Sequence, residues 1–121
     1  MSYGGGQTLG ERGEEAAMQY LRERGYLIHE RNWREGPHEI DIVAEHWDTL
    51  HFVEVKTRRA GSLQSPAEAM TPAKIRALSQ AMRDYLAEHR IRLNISFDVC
   101  TVVAHPDGRM DIELIENAFY L

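Results

Sequence analysis

One heptapeptide near the middle of the chain constrains the fold more than any other feature. Residues 50–56 read Leu-His-Phe-Val-Glu-Val-Lys, an apolar run of the kind that forms a central strand. Strand side chains alternate between two faces, so Glu54 and Lys56 share one face with Phe52, and the two valines lie on the other. Burying charge in a strand is costly unless the charges are paired or bind a metal. The heptapeptide therefore predicts either an ion pair or a metal site.

A carboxylate on the preceding strand favours the metal site. Asp41 lies within Ile40–Ala44, another apolar run, and Trp47-Asp48-Thr49 is a turn between the two runs. The two strands are expected to form an antiparallel hairpin, across which Asp41 could reach Glu54. Taken alone, a Glu-x-Lys tripeptide is common, and it is also typical of a cross-strand salt bridge at a sheet edge. Because Asp41 lies on the other strand of the hairpin, the arrangement of these residues favours a metal site and a salt bridge about equally.

An Asp followed by Glu-x-Lys on the next strand suits phosphodiester hydrolysis. Two carboxylates give the hard oxygen ligands that Mg²⁺ prefers, and the ion can take the rest of its shell from water and phosphate. A bound metal polarises the phosphate and lowers the pKa of a water molecule. The Lys56 ammonium could orient that water and offset charge on the phosphate. Glu14, on the first predicted helix, could add a carboxylate if that helix packs beside the hairpin.

The remaining patterns predict one α/β domain in which a mixed sheet is flanked by helices, in the order α-β-β-β-α-β-β. Thr8 and Glu11 form a capping box for a helix that ends at Gly25. Residues 1–9 are expected to be a flexible start and 10–121 the domain. The other predicted elements are a short strand at Tyr26-Leu27-Ile28, a helix start at Ser65-Pro66-Ala67-Glu68, a longer helix from Thr71-Pro72, and strands at Phe97–Val103 and Met110–Ile115.

Composition indicates a cytoplasmic protein with a local basic surface. No apolar run is long enough to cross a bilayer, and the single cysteine, Cys100, excludes an internal disulfide. The net charge of −5 counts against nucleic acid as a partner. Residues 56–92, however, carry eight Lys and Arg against three Asp and Glu, which could form a basic face. The alternative is an ordinary solvated helix face of mixed charge.

Neither zinc nor a nucleotide cofactor is predicted from residue spacing. The six histidines form none of the usual metal-binding spacings. The glycines near the N-terminus follow no strand and lack Gly-Lys-Ser/Thr, so a phosphate loop is not expected.

The chain resembles the YraN family, a bacterial family similar to archaeal Holliday-junction resolvases and placed in the PD-(D/E)xK nuclease superfamily. The resemblance extends almost from end to end, and its specificity comes from the combination of motifs. The matching residues are Gly10-Glu11-Arg12-Gly13-Glu14, Ala17, Leu21, Gly25-Tyr26, Arg31-Asn32, Glu39-Ile40-Asp41, Phe52 to Arg58, Lys74, Phe97-Asp98-Val99 and Asn117-Ala118-Phe119.

The resemblance implies a restriction-endonuclease-like fold and a set of site residues. Asp41 and Glu54 would be ligands of Mg²⁺ or Mn²⁺, Lys56 the catalytic lysine, and Glu14 the carboxylate supplied by the helix. Glu39 matches the family's Glu-Ile-Asp and should share a strand face with Asp41. The chain departs from the family at His38, where Gly is usual and where an imidazole could approach the metal, and at Ser96, where Arg is common.

Three functions follow as hypotheses. The first is a Mg²⁺-dependent endonuclease of branched or irregular DNA, with Arg58, Arg59 and Lys74 contacting nucleic acid; resolvases of this fold act as dimers, so a homodimer is expected by resemblance. The second is a nucleic-acid-binding module without catalysis. The third is a protein-interaction subunit of a DNA-processing complex, in which the charged strand is structural.

Overall fold

A computed structural model of the chain describes residues 7–63 and 70–118. In these ranges the chain forms a five-stranded mixed sheet of order β1-β2-β3-β4-β5 and two helices. The predicted α/β class and the element order α-β-β-β-α-β-β are confirmed, and the architecture agrees with a restriction-endonuclease-like fold. The elements are α1 (Leu9–Glu23), β1 (Leu27–Glu35), β2 (His38–His46), β3 (Thr49–Arg59), α2 (Pro72–His89), β4 (Asn94–Ala104) and β5 (Met110–Ile115).

Helix α1 starts and ends where its sequence signals predict. Thr8 accepts a hydrogen bond from the Glu11 N–H, and the Glu11 carboxylate accepts one from the Thr8 N–H, which completes the capping box. The helix therefore begins at Leu9, the last residue of the segment expected to be flexible. Gly25, just past its end, has a φ of +89°, a conformation that glycine adopts without strain.

Strand β1 is longer than the short strand predicted at residues 26–28. It continues to Glu35 and pairs antiparallel with β2. Most of its side chains are exposed or half-buried, and the register shifts between Ile28 and Glu30. A polar edge strand with a bulge lacks the strict alternation by which a strand is recognised.

Strands β2 and β3 form the predicted antiparallel hairpin, whereas β3 and β4 run parallel. A parallel pair needs a crossover, and here the crossover contains α2. Thr71 caps α2 by accepting from the Lys74 N–H. The predicted helix start at residues 65–68 lies outside the described residues, as does Phe119.

The two helices cover opposite faces of the sheet. Ala17, Met18 and Leu21 of α1 pack with one set of strand residues, which includes Val53. Leu78, Met82 and Tyr85 of α2 pack with another, which includes Phe52. Since Phe52 and Val53 are consecutive in β3, their side chains point to opposite faces, and the sheet has a core on each side. In the part of the chain that the structure describes, no helix is long and apolar enough to span a membrane.

Candidate metal centre at a strand fork

The pairing between strands β2 and β3 ends just before Asp41 and Glu54, and this point is called the strand fork below. Their pairing runs from His46 and Thr49 to Ile42 and Val53, and then stops. Beyond it, β2 continues beside β1 and β3 continues beside β4. The side chain of Asp41 bridges the opening, because its Oδ2 accepts a 2.8 Å hydrogen bond from the Val55 N–H. A carboxylate thus takes the place of the backbone partner that β2 no longer supplies.

Asp41 and Glu54 form a buried carboxyl pair. Their exposed fractions are only 9% and 5%, and their side chains are hydrogen bonded to each other. Burial, and then the negative charge of Glu54, raise the pKa of Asp41 from 3.8 to about 8, although the hydrogen bond from Val55 opposes the rise. Without a metal, Asp41 is therefore largely protonated at neutral pH. A dication bound between the two groups would remove the repulsion that keeps the proton there.

Two lysines approach Glu54 from different elements. Lys56 Nζ lies 3.0 Å from Glu54 Oε2, and Lys74 Nζ lies 3.5 Å from the same oxygen. Lys56 follows on the same face of β3, as the strand period predicts, while Lys74 comes from the first turn of α2. Lys74 was predicted as a nucleic-acid contact, and the structure places its ammonium group directly at the fork.

Glu14 reaches the fork from α1. Burial raises its pKa, the Asn32 side chain and Arg31 lower it, and the negative charges of Glu39 and Glu54 raise it again. These influences place Glu14 in the same electrostatic environment as the fork carboxylates. Arg31 Nε lies 4.0 Å from Glu14 Oε1, at the outer limit of an ion pair.

Gly13 allows α1 to lie this close to β3. A Cβ atom at this position would lie 1.9 Å from Thr57 Oγ1 and 2.7 Å from Thr57 Cβ. Any side chain would therefore push the helix, and Glu14 with it, away from the sheet. The Gly-Glu pair in the sequence thus combines a close approach of the helix with a carboxylate directed to the fork.

Glu39 and His38, the possible supporting residues, lie at the start of β2. Glu39 Oε2 forms a 2.8 Å ion pair with Arg34 Nη2, its partner across β1 and β2, although its charge still acts on Glu14. The His38 side chain is half-buried and forms no hydrogen bond or ion pair with any residue in 7–63 or 70–118. The structure therefore brings Glu14, Asp41, Glu54 and Lys56 together and leaves His38 at the start of β2.

Arg58 and Arg59 lie at the end of β3, beyond the fork. Arg58 is half-buried and Arg59 is exposed, and neither guanidinium is ion-paired within the described ranges. Arg59 also lines a cavity of about 310 Å³ with Arg12 and His105.

Comparison with known proteins identifies the family. The family model described as "Uncharacterised protein family UPF0102" matches residues 13–102. The chain belongs to this family. A UPF0102 protein of Syntrophomonas wolfei is 48% identical over 93% of the chain and 98% of its own length. A UPF0102 protein of Bacteroides thetaiotaomicron is 43% identical over 93% of the chain and 92% of its own length.

The resemblance to the YraN family is therefore confirmed, because UPF0102 is that family. The relatives' names state a family and no activity. The match begins at Gly13 and covers the fork residues, including Glu14, Asp41, Glu54, Lys56 and Lys74.

Asn32 is a partner of Glu14 that the sequence patterns did not predict. Asn32 has a φ of +52°, in the left-handed region that asparagine tolerates better than most residues. Its side chain hydrogen bonds with Glu14 and opposes the rise in the pKa of that carboxyl. The available sequence signal for Asn32 was the Arg31-Asn32 pair. It belongs to the residues that match the family, and it places two polar side chains inside a strand.

Proposed function

We propose that this chain is a Mg²⁺-dependent endonuclease that hydrolyses phosphodiester bonds of branched or irregular DNA. The observation that carries the proposal is the contact between the buried carboxyl groups of Asp41 and Glu54 beside Lys56. Two buried like charges in contact destabilise a fold unless a proton or a cation neutralises them. Their oxygen atoms are ligands of the kind that Mg²⁺ or Mn²⁺ takes.

Each fork residue has a distinct role in the proposed reaction. Asp41 and Glu54 would hold the ion, and Glu14 would add a half-buried carboxylate at its margin. Bound Mg²⁺ would supply Lewis acidity toward the phosphate and lower the pKa of a coordinated water. Lys56, 3.0 Å from Glu54, would orient the attacking water and offset the charge that develops on the phosphate.

The charges around the fork support a nucleic-acid substrate despite the acidic composition. Lys74 lies at the fork itself, and Arg58 and Arg59, which form no ion pair with residues 7–63 or 70–118, follow it along β3. Lys and Arg in such positions bind a phosphate backbone without reading its sequence. The proposed preference for branched DNA rests on the family resemblance. The proposed homodimer follows from it, because a four-way junction needs two symmetric cuts. A cytoplasmic location belongs to the same proposal.

Cleavage of a substrate panel tests the proposal. The panel holds a labelled four-way junction, a flap, a plain duplex and single strands of DNA and RNA, each with Mg²⁺ or Mn²⁺. Wild-type protein should cut at least one DNA substrate, and Asp41→Asn should lower the rate at least 100-fold, because a metal ligand is lost. Glu113→Gln, at an exposed position of β5, is the matched control and should keep the wild-type rate.

Two other results would redirect the assignment. Metal-independent, salt-sensitive binding of nucleic acid without cutting, from a folded protein, would favour a non-catalytic binding module. Neither binding nor cutting would favour a protein-interaction subunit.

A further inference from the structure

The carboxylate of Glu54 is shared between two ammonium groups that reach it from different elements. Lys56 Nζ lies 3.0 Å and Lys74 Nζ lies 3.5 Å from the same oxygen, Oε2. Only 6% of the Glu54 side chain is exposed, so its negative charge depends on nearby cations for compensation. Both ammonium groups therefore occupy the space that a metal ion bound to Glu54 would enter.

The two lysines differ in how firmly the fold holds them. The Lys56 side chain is 21% exposed and lies on the same strand face as Glu54. The Lys74 side chain is 44% exposed and comes from the first turn of α2. A lysine has a flexible four-carbon stem, and an exposed one can change rotamer without disturbing the backbone. Lys74 is therefore the cation that can leave Glu54 while the sheet stays in place.

The position of Lys74 in α2 makes its ammonium group dependent on an anion outside the helix. The amino end of a helix carries partial positive charge and disfavours a nearby cation. The first turn of α2, residues 72–75, contains no Asp or Glu that would offset this effect. In the structure, the Glu54 carboxylate on β3 provides the compensating charge. A phosphate group would provide it equally well.

We propose that Lys74 couples metal binding to DNA binding at the fork, an inference that rests on the proposed function. In the metal-free protein, Lys74 is a counter-ion of Glu54. When Asp41 and Glu54 hold a dication, the Lys74 ammonium group is repelled, turns toward solvent and contacts a phosphate of the DNA. Lys74 therefore opposes metal binding in the absence of DNA and strengthens DNA binding once the metal is present.

A purely structural ion pair between α2 and β3 leads to a different expectation. In that case, removal of the Lys74 ammonium group would loosen the attachment of the helix and leave metal affinity unchanged or lower. Coupling requires metal affinity to rise, because a competitor for Glu54 is lost. The two roles therefore differ in the sign of one measurable change.

Binding of Mn²⁺ in the absence of DNA is the first test, with the free ion measured by electron paramagnetic resonance. Lys74→Gln, checked for folding by circular dichroism, should bind Mn²⁺ about threefold or more tightly than wild type does. Arg76→Gln removes the same charge from an exposed position of the same helix and should keep the wild-type affinity.

Binding of a labelled four-way junction, in EDTA and in Ca²⁺, is the second test. Ca²⁺ takes oxygen ligands, as Mg²⁺ does. It should strengthen junction binding by the wild type about threefold or more beyond its effect on Lys74→Gln, since only the wild type gains the released ammonium group. Arg76→Gln should respond to Ca²⁺ as the wild type does.

The outcomes separate this inference from the proposed function. Mn²⁺ affinity that does not rise in Lys74→Gln, or an equal effect of Ca²⁺ on junction binding by the two proteins, would overturn the coupling and leave the proposed nuclease intact. Failure of the wild type to bind Mn²⁺ or the junction would overturn the coupling together with the proposed function.

Discussion

At the scale of single residues, Asp41 combines a structural role with the metal-binding role that we propose for it. Its carboxyl group satisfies the backbone N–H of Val55 where the strands part, and it contacts the Glu54 carboxyl in the same buried space. The first role needs only an oxygen acceptor, whereas metal binding needs a negative charge. Asparagine at position 41 keeps an oxygen acceptor and lacks the negative charge, so Asp41→Asn separates the two roles.

Asp41→Asn should change how the stability of the metal-free protein depends on pH. The folded-state pKa of Asp41, about 8, lies above its unfolded value of 3.8, so the folded state holds the proton more tightly. This contribution is fully present below pH 3.8 and is lost as pH rises through about 8. In that window the wild type should lose up to about 1.4 kcal/mol per pH unit relative to Asp41→Asn.

Urea unfolding in EDTA at several pH values between 5 and 8 measures this difference. Glu113→Gln serves as the control and should run parallel to wild type. Identical pH slopes for wild type and Asp41→Asn would show that Asp41 is ionised in the folded, metal-free protein.

The sequence could predict the Asp41–Glu54 contact but not the approach of Lys74. The first depends on a hairpin, in which a short turn sets the register of two adjacent strands. The second depends on where the helix of a crossover docks, which no local pattern specifies. The buried contact between His51 and Asp98 could not be predicted for the same reason, because β3 and β4 meet only through the parallel register of the tertiary fold.

At the scale of elements, the packing of α1 on β3 determines where Glu14 lies. Helix signals predicted the bounds of α1 and the start of α2, whereas most of β1 was not predicted. Most of its residues are polar and exposed or half-buried, and the left-handed Asn32 interrupts the strand pattern. Strand β5, at the other edge, keeps a strict alternation of half-buried and exposed residues and was predicted in full, so the lack of this pattern, and not the edge position, hid β1.

Gly13→Ala should destabilise the fold although alanine is the better helix former. The new methyl group would lie 1.9 Å from Thr57 Oγ1, so helix or strand must shift. Overpacking of this kind costs typically about 1–3 kcal/mol, more than the roughly 1 kcal/mol gained in helix propensity. Denaturant unfolding measures the net effect.

Gly10→Ala is the matched control in the same helix. A Cβ there meets only Thr8 Oγ1, at 3.9 Å, so the substitution should stabilise slightly. Equal stabilisation by both alanines would contradict the close approach of α1 to β3.

At the scale of the whole molecule, the acidic chain presents a local cluster of positive charge. The net charge is −5, yet Lys56, Lys74, Arg58 and Arg59 lie at or beyond the fork. A cavity at the other end of β3, whose wall includes His51, carries the acidic side chains of Asp48 and Glu116 instead. The two ends of β3 thus carry opposite electrostatic character, and a polyanion would be guided toward the fork.

Removing the arginines beyond the fork should weaken DNA binding without changing its preference for shape. Each phosphate contact contributes about 0.9 to the slope of log K against log salt, so Arg58→Ala and Arg59→Ala should each reduce that slope by up to about 0.9. Binding of a junction by the Asp41→Asn variant, measured at several salt concentrations, tests this. Arg22→Ala, in the last turn of α1, should leave the slope unchanged. An unchanged slope in Arg58→Ala and Arg59→Ala would place the backbone contacts elsewhere.

The bridge from Asp41 to Val55 also governs how inactive descendants of such a protein could persist. Loss of the carboxylate to an apolar residue would leave a buried backbone donor unpaired, at a cost of about 1–3 kcal/mol. Replacement by asparagine keeps that bond and removes the charge repulsion. Under selection for abundance alone, asparagine would therefore be the favoured replacement at position 41. A relative that carries it would retain the fold without the proposed metal-dependent reaction.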